Sequence, residues 1–130
     1  MNSSTTTISS IAEELTQVFG EQDFTVQQTI DNIPTFWVPA SKIVEIARHF
    51  KNHPHNPYRM LHDITAIDER MRKHREGQPD SDFTVVYHLF SLESHSYVRL
   101  KVPAAVRVLD TVPASKGRRY PPDVRSRARP

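Results

Sequence analysis

Tyr58-Arg-Met-Leu-His-Asp-Ile-Thr-Ala-Ile-Asp-Glu-Arg70 lies near the middle of the chain and mixes apolar residues with His62, Asp63 and Asp68. Side chains alternate along a strand. Tyr58, Met60, His62, Ile64 and Ala66 then share one face, and Leu61, Asp63, Thr65 and Ile67 the other. Both faces are partly apolar, which predicts a long central strand covered on both sides for some of its length. Two helical and two strand-like segments precede it, and two more strand-like segments follow.

Outward toward the N-terminus, Pro39 suits a helix start, because its missing N–H is not needed there. Ile43, Val44, Ile46, Ala47 and Phe50 predict the buried face of that helix. Asn52-His53-Pro54-His55-Asn56-Pro57 ends it. His53 and His55 suggest a metal pair only weakly, since no carboxylate is near them in sequence; a solvated turn is the simpler reading. Phe24, Val26, Gln28 and Ile30 alternate with polar residues as in a half-buried strand. Asp31-Asn32 suits a tight turn, and Ile33 to Val38 the returning strand, with Pro34 favouring an edge. Trp37 reads as a core or rim residue. Ile8, Ile11, Leu15, Val18 and Phe19 mark an amphipathic helix that stops at Gly20. Residues 1–7 are polar and expected to be disordered.

Outward toward the C-terminus, Glu69 to Asp82 is a charged connection. Phe83, Val85, Tyr87 and Leu89 then form one strand face and Val86, His88 and Phe90 the other. After Glu93-Ser94-His95, Val98, Leu100 and Val102 alternate with Tyr97, Arg99 and Lys101, which predicts a hairpin. The expected fold is α+β: a two-layer domain with a mixed sheet of about five strands and two helices on one face, in the order αββαβββ. The domain spans residues 8–103, with a Pro/Arg-rich, disordered tail over residues 104–130.

Charge is unevenly spread. Lys116, Arg118, Arg119, Arg125, Arg127 and Arg129 oppose Asp123 alone, a net +5 for residues 116–130; the whole chain carries +2, so residues 1–115 sum to −3. A basic tail on a mildly acidic body gives no whole-protein case for nucleic acid, and Tyr97, Arg99 and Lys101 make a thin platform. The chain has no cysteine, so thiolate zinc sites, thiol catalysis and cysteine-held iron–sulfur clusters are ruled out. No apolar run reaches the roughly 18 residues of a transmembrane helix, and the N-terminus lacks the pattern of a signal peptide.

His62, Asp63, Asp68 and His88 are the candidates for a small stand-alone enzyme. Strand parity puts His62 opposite Asp63, and Asp63 opposite Asp68, so the carboxylates would converge only at a bulge. Asp68 and Asp63 more simply cap backbone amides or pair with an arginine at the strand end. His88 reads as a satisfied structural histidine.

The words Tyr58 to Arg70 and Asp82-Phe-Thr-Val-Val-Tyr-His-Leu-Phe-Ser-Leu92, with Ile33-Pro-Thr-Phe-Trp-Val-Pro39, resemble the C subunit of the proton-pumping NADH–quinone oxidoreductase, respiratory complex I. The resemblance covers about residues 8–103. It implies a hydrophilic peripheral-arm subunit, peripheral at the cytoplasmic face of the bacterial inner membrane and reaching the membrane only through the complex. It implies packing against the D subunit of complex I and neighbouring peripheral-arm subunits. NADH, FMN, iron–sulfur clusters and quinone belong to the assembly, and no catalytic, cofactor or metal residue to this chain. Asp68, Glu69, Arg70, Arg72 and Arg75, on the charged continuation of the opening stretch, are the expected partner contacts. The family's following Trp-Tyr-Glu-Arg-Glu segment and Gly-His-Pro turn are missing after Pro103. That suggests a truncated or frameshifted copy, since out-of-frame GC-rich DNA yields such Arg/Pro/Ala text. The alternative is a stand-alone binding module with a basic C-terminal arm.

Overall fold

A computed structural model describes the backbone of residues 3–73 and 77–104, and side chains from residue 7 on. The described elements are α1 (Ser3–Phe19), a short 3-10 turn (Glu21–Asp23), β1 (Thr25–Gln27), β2 (Thr35–Trp37), α2 (Ile43–Lys51), β3 (Met60–Asp68), β4 (Phe83–Ser91) and β5 (Ser96–Ala104). This is the expected α+β order. Residues 105–130 and Arg75 lie outside the described residues.

The strands form one sheet in the order β1-β2-β5-β4-β3. β2 and β5 run parallel; the other neighbours are antiparallel. The predicted hairpin is β4–β5, paired from Phe83↔Ala104 to Ser91↔Ser96. His95 turns it at φ 52°, and Asn32 turns the β1–β2 connection at φ 61°. Asp31 also orders that connection: its Oδ1 accepts from Thr29 Oγ1 at 2.7 Å and from the Ile33 amide at 3.1 Å.

The helices cover one face. Leu15 from α1 and Ile46 and Phe50 from α2 are buried with Phe36, Val38, Leu89, Val98, Leu100 and Val102 of the sheet and the strand ends. Burying a side chain such as Phe36 or Leu100 contributes about 1.5–3 kcal/mol. α1 stops at Gly20, whose φ of 99° suits a residue without Cβ. α2 ends where the Asn52 amide bonds the Arg48 carbonyl at 3.0 Å. Its last turn holds Arg48, His49 and Lys51, the sign that the helix dipole favours there.

Several expectations need correcting. β3 is the edge strand, not the central one, and it is exposed along nearly its whole length. β5 and β4 hold the middle instead, because their tight hairpin pairs one side of each and leaves the other sides for β2 and β3. The β3 register shifts between Leu61 and Asp63, so the regular alternation breaks at His62. α1 starts at Ser3, inside the polar stretch expected to be disordered. β1 is three residues long and Ile30 is fully exposed, so the apolar alternation there overstated the strand. α2 begins at Ile43, after a turn in which the Lys42 amide bonds the Pro39 carbonyl.

Candidate functional site

The face without helices carries one cross-strand row: Thr35 of β2, Arg99 of β5, His88 of β4 and Asp63 of β3 are successive register partners. Arg99 Nη2 donates to Asp31 Oδ2 at 2.6 Å, and its Nη1 to Thr35 Oγ1 at 3.3 Å. Arg99 Nε donates to His88 Nε2 at 2.9 Å, and His88 Nδ1 lies 2.7 Å from Asp63 Oδ1. Arg99 can only donate, so His88 Nε2 accepts and Nδ1 carries the proton toward Asp63. The Arg99 guanidinium, aided by Thr29 and the Ile33 amide, holds the Asp31 carboxyl well below the usual carboxylate range against the opposing effect of burial. Both ring nitrogens of His88 are thereby used, and it offers no free lone pair to a substrate. It is the satisfied histidine expected from the sequence.

The bulge puts the His62 ring against Tyr97, with centroids 5.3 Å apart, on the same face as Asp63. The predicted opposition of His62 and Asp63 therefore fails. Asp63 and Asp68 stay on opposite faces, since the register between them is regular. Lys101 stands over the Trp37 ring at 5.3 Å, so the Tyr97, Arg99 and Lys101 row is spent on internal contacts.

Beyond β3 the chain forms a prong. Asp68 Oδ1 accepts from the Arg70 amide and from Arg70 Nε, each at 3.0 Å, and Oδ2 accepts from Nη2 at 2.8 Å. This fork lowers the Asp68 pKa to about 2 and raises that of Arg70. The strand-end cap and arginine pair expected of Asp68 are both present. The Arg70 guanidinium also lies 4.9 Å from the Phe83 ring centroid. Met71 is 94% exposed between Arg70 and Arg72. Glu69 differs from its neighbours: it is buried and accepts a hydrogen bond from Thr84 Oγ1, with Arg72 Nε 3.9 Å away. It anchors the prong rather than presenting itself.

At the helical layer, Glu14 of α1 receives His49 Nε2 at 2.8 Å and His53 Nε2 at 2.9 Å. The sequence offered no nearby carboxylate; the fold brings one from the other helix. His53 Nδ1 accepts the amides of His55 and Asn56 at 3.1 and 3.0 Å, so its Nε2 carries the proton and cannot give a lone pair to a metal. Among the described residues no group of His, Asp and Glu is arranged to hold a metal ion. This cluster and the Arg99–Asp31 pair escaped sequence reading. Each joins residues far apart in sequence, and only the parallel β2–β5 pairing and the packing of α1 on α2 bring them together.

A fourth feature lies between α2 and β3. A cavity of about 490 Å³ is lined by Ile43, Val44, Ala47, Leu61, Tyr87 and Leu89, with Arg48, Lys51 and Arg59 among its polar residues. None of these four features contains a nucleophile activated by a free base. The uncovered apolar strip beside charged residues is instead the arrangement of a docking surface.

A family profile described as respiratory-chain NADH dehydrogenase, 30 kDa subunit, matches residues 36–116, which carries the family match past Pro103. The chain is 46% identical over 100 residues to the NADH-quinone oxidoreductase C/D subunit of Acidiphilium cryptum, covering 77% of this chain and 17% of that protein. It is 44% identical over 111 residues to the C/D subunit of Methylococcus capsulatus, covering 81% and 19%. It is 43% identical over 109 residues to that of Psychrobacter cryohalolentis, covering 84% and 18%. The chain thus spans less than a fifth of these relatives' length. No helix among the described residues is long and apolar enough to cross a membrane. With more than half its length inside the profile, the chain belongs to the respiratory-chain NADH dehydrogenase 30 kDa subunit family.

Proposed function

We propose that this chain is a hydrophilic peripheral-arm subunit of an NADH–quinone oxidoreductase, and that it scaffolds electron transfer from NADH to quinone without holding a redox centre. The observation that carries the reading is β3: an edge strand of nine residues, exposed almost throughout, in a chain whose relatives are named as C/D subunits. Long apolar edges are normally covered by a partner. The D part of the assembly is the partner, and the Asp68, Arg70 and Arg72 prong is the contact, with Arg75 a further contact residue. NADH, FMN, the clusters and quinone are bound by other subunits; this chain supplies no cysteine to a cluster. Within the assembly it lies at the cytoplasmic face of the bacterial inner membrane, and the isolated chain turns over neither NADH nor quinone.

The test is co-expression with a D polypeptide, capture through this chain, and mass spectrometry of what is retained. Retention of the D polypeptide, weakened about tenfold by Arg70→Glu with Arg72→Glu, is the expected result, in line with the cost of reversing interface charges. Removal of residues 105–130 leaves it unchanged. Recovery of the chain only as a free monomer, in cells that assemble the oxidoreductase, rejects the assembly reading.

A further inference from the structure

The groove between α2 and β3 lies away from the Asp68–Arg72 prong and has its own chemistry. Its lining is largely apolar: Val44 is 62% exposed and Leu61 50%, and both line it together with the buried Leu89. Farther along β3, Ile64 extends the strip at 52% exposure. No Asp or Glu lines the groove, whereas Arg48, Lys51 and Arg59 do. Arg59 is neutralised, because its Nη1 lies 2.7 Å from Glu93 Oε2. Arg48 and Lys51 are exposed and form no ion pair among the described residues. Among the described residues, two cations without an ion pair therefore flank an uncovered apolar strip.

We propose that this groove seats a segment of another subunit that presents apolar side chains to Val44 and Leu61 and acidic side chains to Arg48 and Lys51. Apolar anchors supply affinity at such a surface, while rim charges select the partner and set its register. A basic or neutral apolar segment fits the apolar lining but leaves the two cations unanswered, so charge decides the occupant. The proposal rests on the assembly reading only in taking the segment from another subunit.

The test uses the full chain, in bacteria that assemble the oxidoreductase, with a photo-crosslinking amino acid replacing Val44 or Leu61. The expected product is a crosslink to a segment of a different polypeptide with apolar residues and at least two Asp or Glu. Arg48→Glu with Lys51→Glu lowers its yield at least fivefold, and acid-to-Lys changes in the crosslinked segment restore it. An unchanged thermal midpoint confirms that the doubly substituted chain is folded; Lys51→Glu alone serves if it is not. The proposal is overturned by no intermolecular crosslink, by a crosslink to residues 105–130 or to a second copy, or by a yield indifferent to charge reversal. Native electrophoresis separates the two ideas. A chain that enters the oxidoreductase but shows no charge-sensitive crosslink refutes the groove alone. One that stays outside it yet crosslinks in a charge-sensitive way refutes the assembly reading alone.

Discussion

His88 Nδ1 and Asp63 Oδ1 lie 2.7 Å apart across the β3–β4 pair, and the same ring accepts Arg99 Nε on its other side. One imidazole thus ties the exposed edge strand to the middle of the sheet. Arg99→Met keeps the length of the side chain but removes its bonds to His88, Asp31 and Thr35. A charged hydrogen bond of this kind contributes about 1.5–3 kcal/mol when sheltered, and exposure of the acid reduces it. The expected loss is about 1–2 kcal/mol in urea unfolding. A double-mutant cycle of Arg99→Met with Asp63→Asn shows coupling, although the two residues do not touch. Strict additivity would show that His88 transmits nothing between them.

The acid limb of stability follows from Asp31 and Asp68. Both carboxyls are held below their ordinary value of 3.8 in the folded chain, Asp68 at about 2. A lowered folded pKa stabilises the fold above the unfolded pKa and is lost as pH falls through the folded one. Stability should therefore decline from about pH 4 downward, with most of Asp68's share lost by about pH 2. Asp31→Asn and Asp68→Asn should each flatten this decline while lowering stability at neutral pH. Urea midpoints measured across the acid range test the slope. A wild-type slope in both variants would assign the acid limb to other groups.

Glu69 is buried and Thr84 is its donor. Thr84→Val keeps the shape but withdraws the hydroxyl, leaving a sheltered carboxylate short of a partner. The cost expected is about 1–3 kcal/mol. Hydrogen exchange at the Glu69 amide, which bonds the Asp82 carbonyl at 2.8 Å, should quicken as the base of the prong loosens.

Local pattern made much of this fold legible. The β4–β5 hairpin, the α2 face with Ile46 and Phe50, and the turn at Asn32 follow from spacing and residue type. The place of β3 in the sheet did not. An apolar strand reads alike whether its cover is intramolecular or supplied by a partner, so Leu61 and Ile64 suggested a central strand while they lie open. His62 shows a second limit, because a bulge leaves no mark in a string of alternating residues. Glu69 shows a third: beside Asp68 and Arg70 it looked like one more surface charge, and its burial depends on Thr84, fifteen residues on.

An uncovered β3 also makes the free chain prone to self-association. Its outer edge has no neighbouring strand among the described residues, and Met60, Leu61 and Ile64 are exposed beside it. Such an edge pairs readily with another copy when its partner is missing, and a lysine on the strand opposes this at little cost to the fold. Ile64→Lys should therefore raise the concentration at which the isolated chain stays monomeric by about tenfold, a difference of roughly 1.4 kcal/mol in association free energy. Because Ile64 is half-exposed, the urea midpoint should move by less than that of a core change such as Leu100→Ala, which costs about 2–5 kcal/mol. Sedimentation velocity across a concentration series reads the first quantity and denaturation the second. If Ile64→Lys lowers stability as much as Leu100→Ala, β3 is covered in the free chain, and both the edge-strand argument and the open groove beside α2 must be given up.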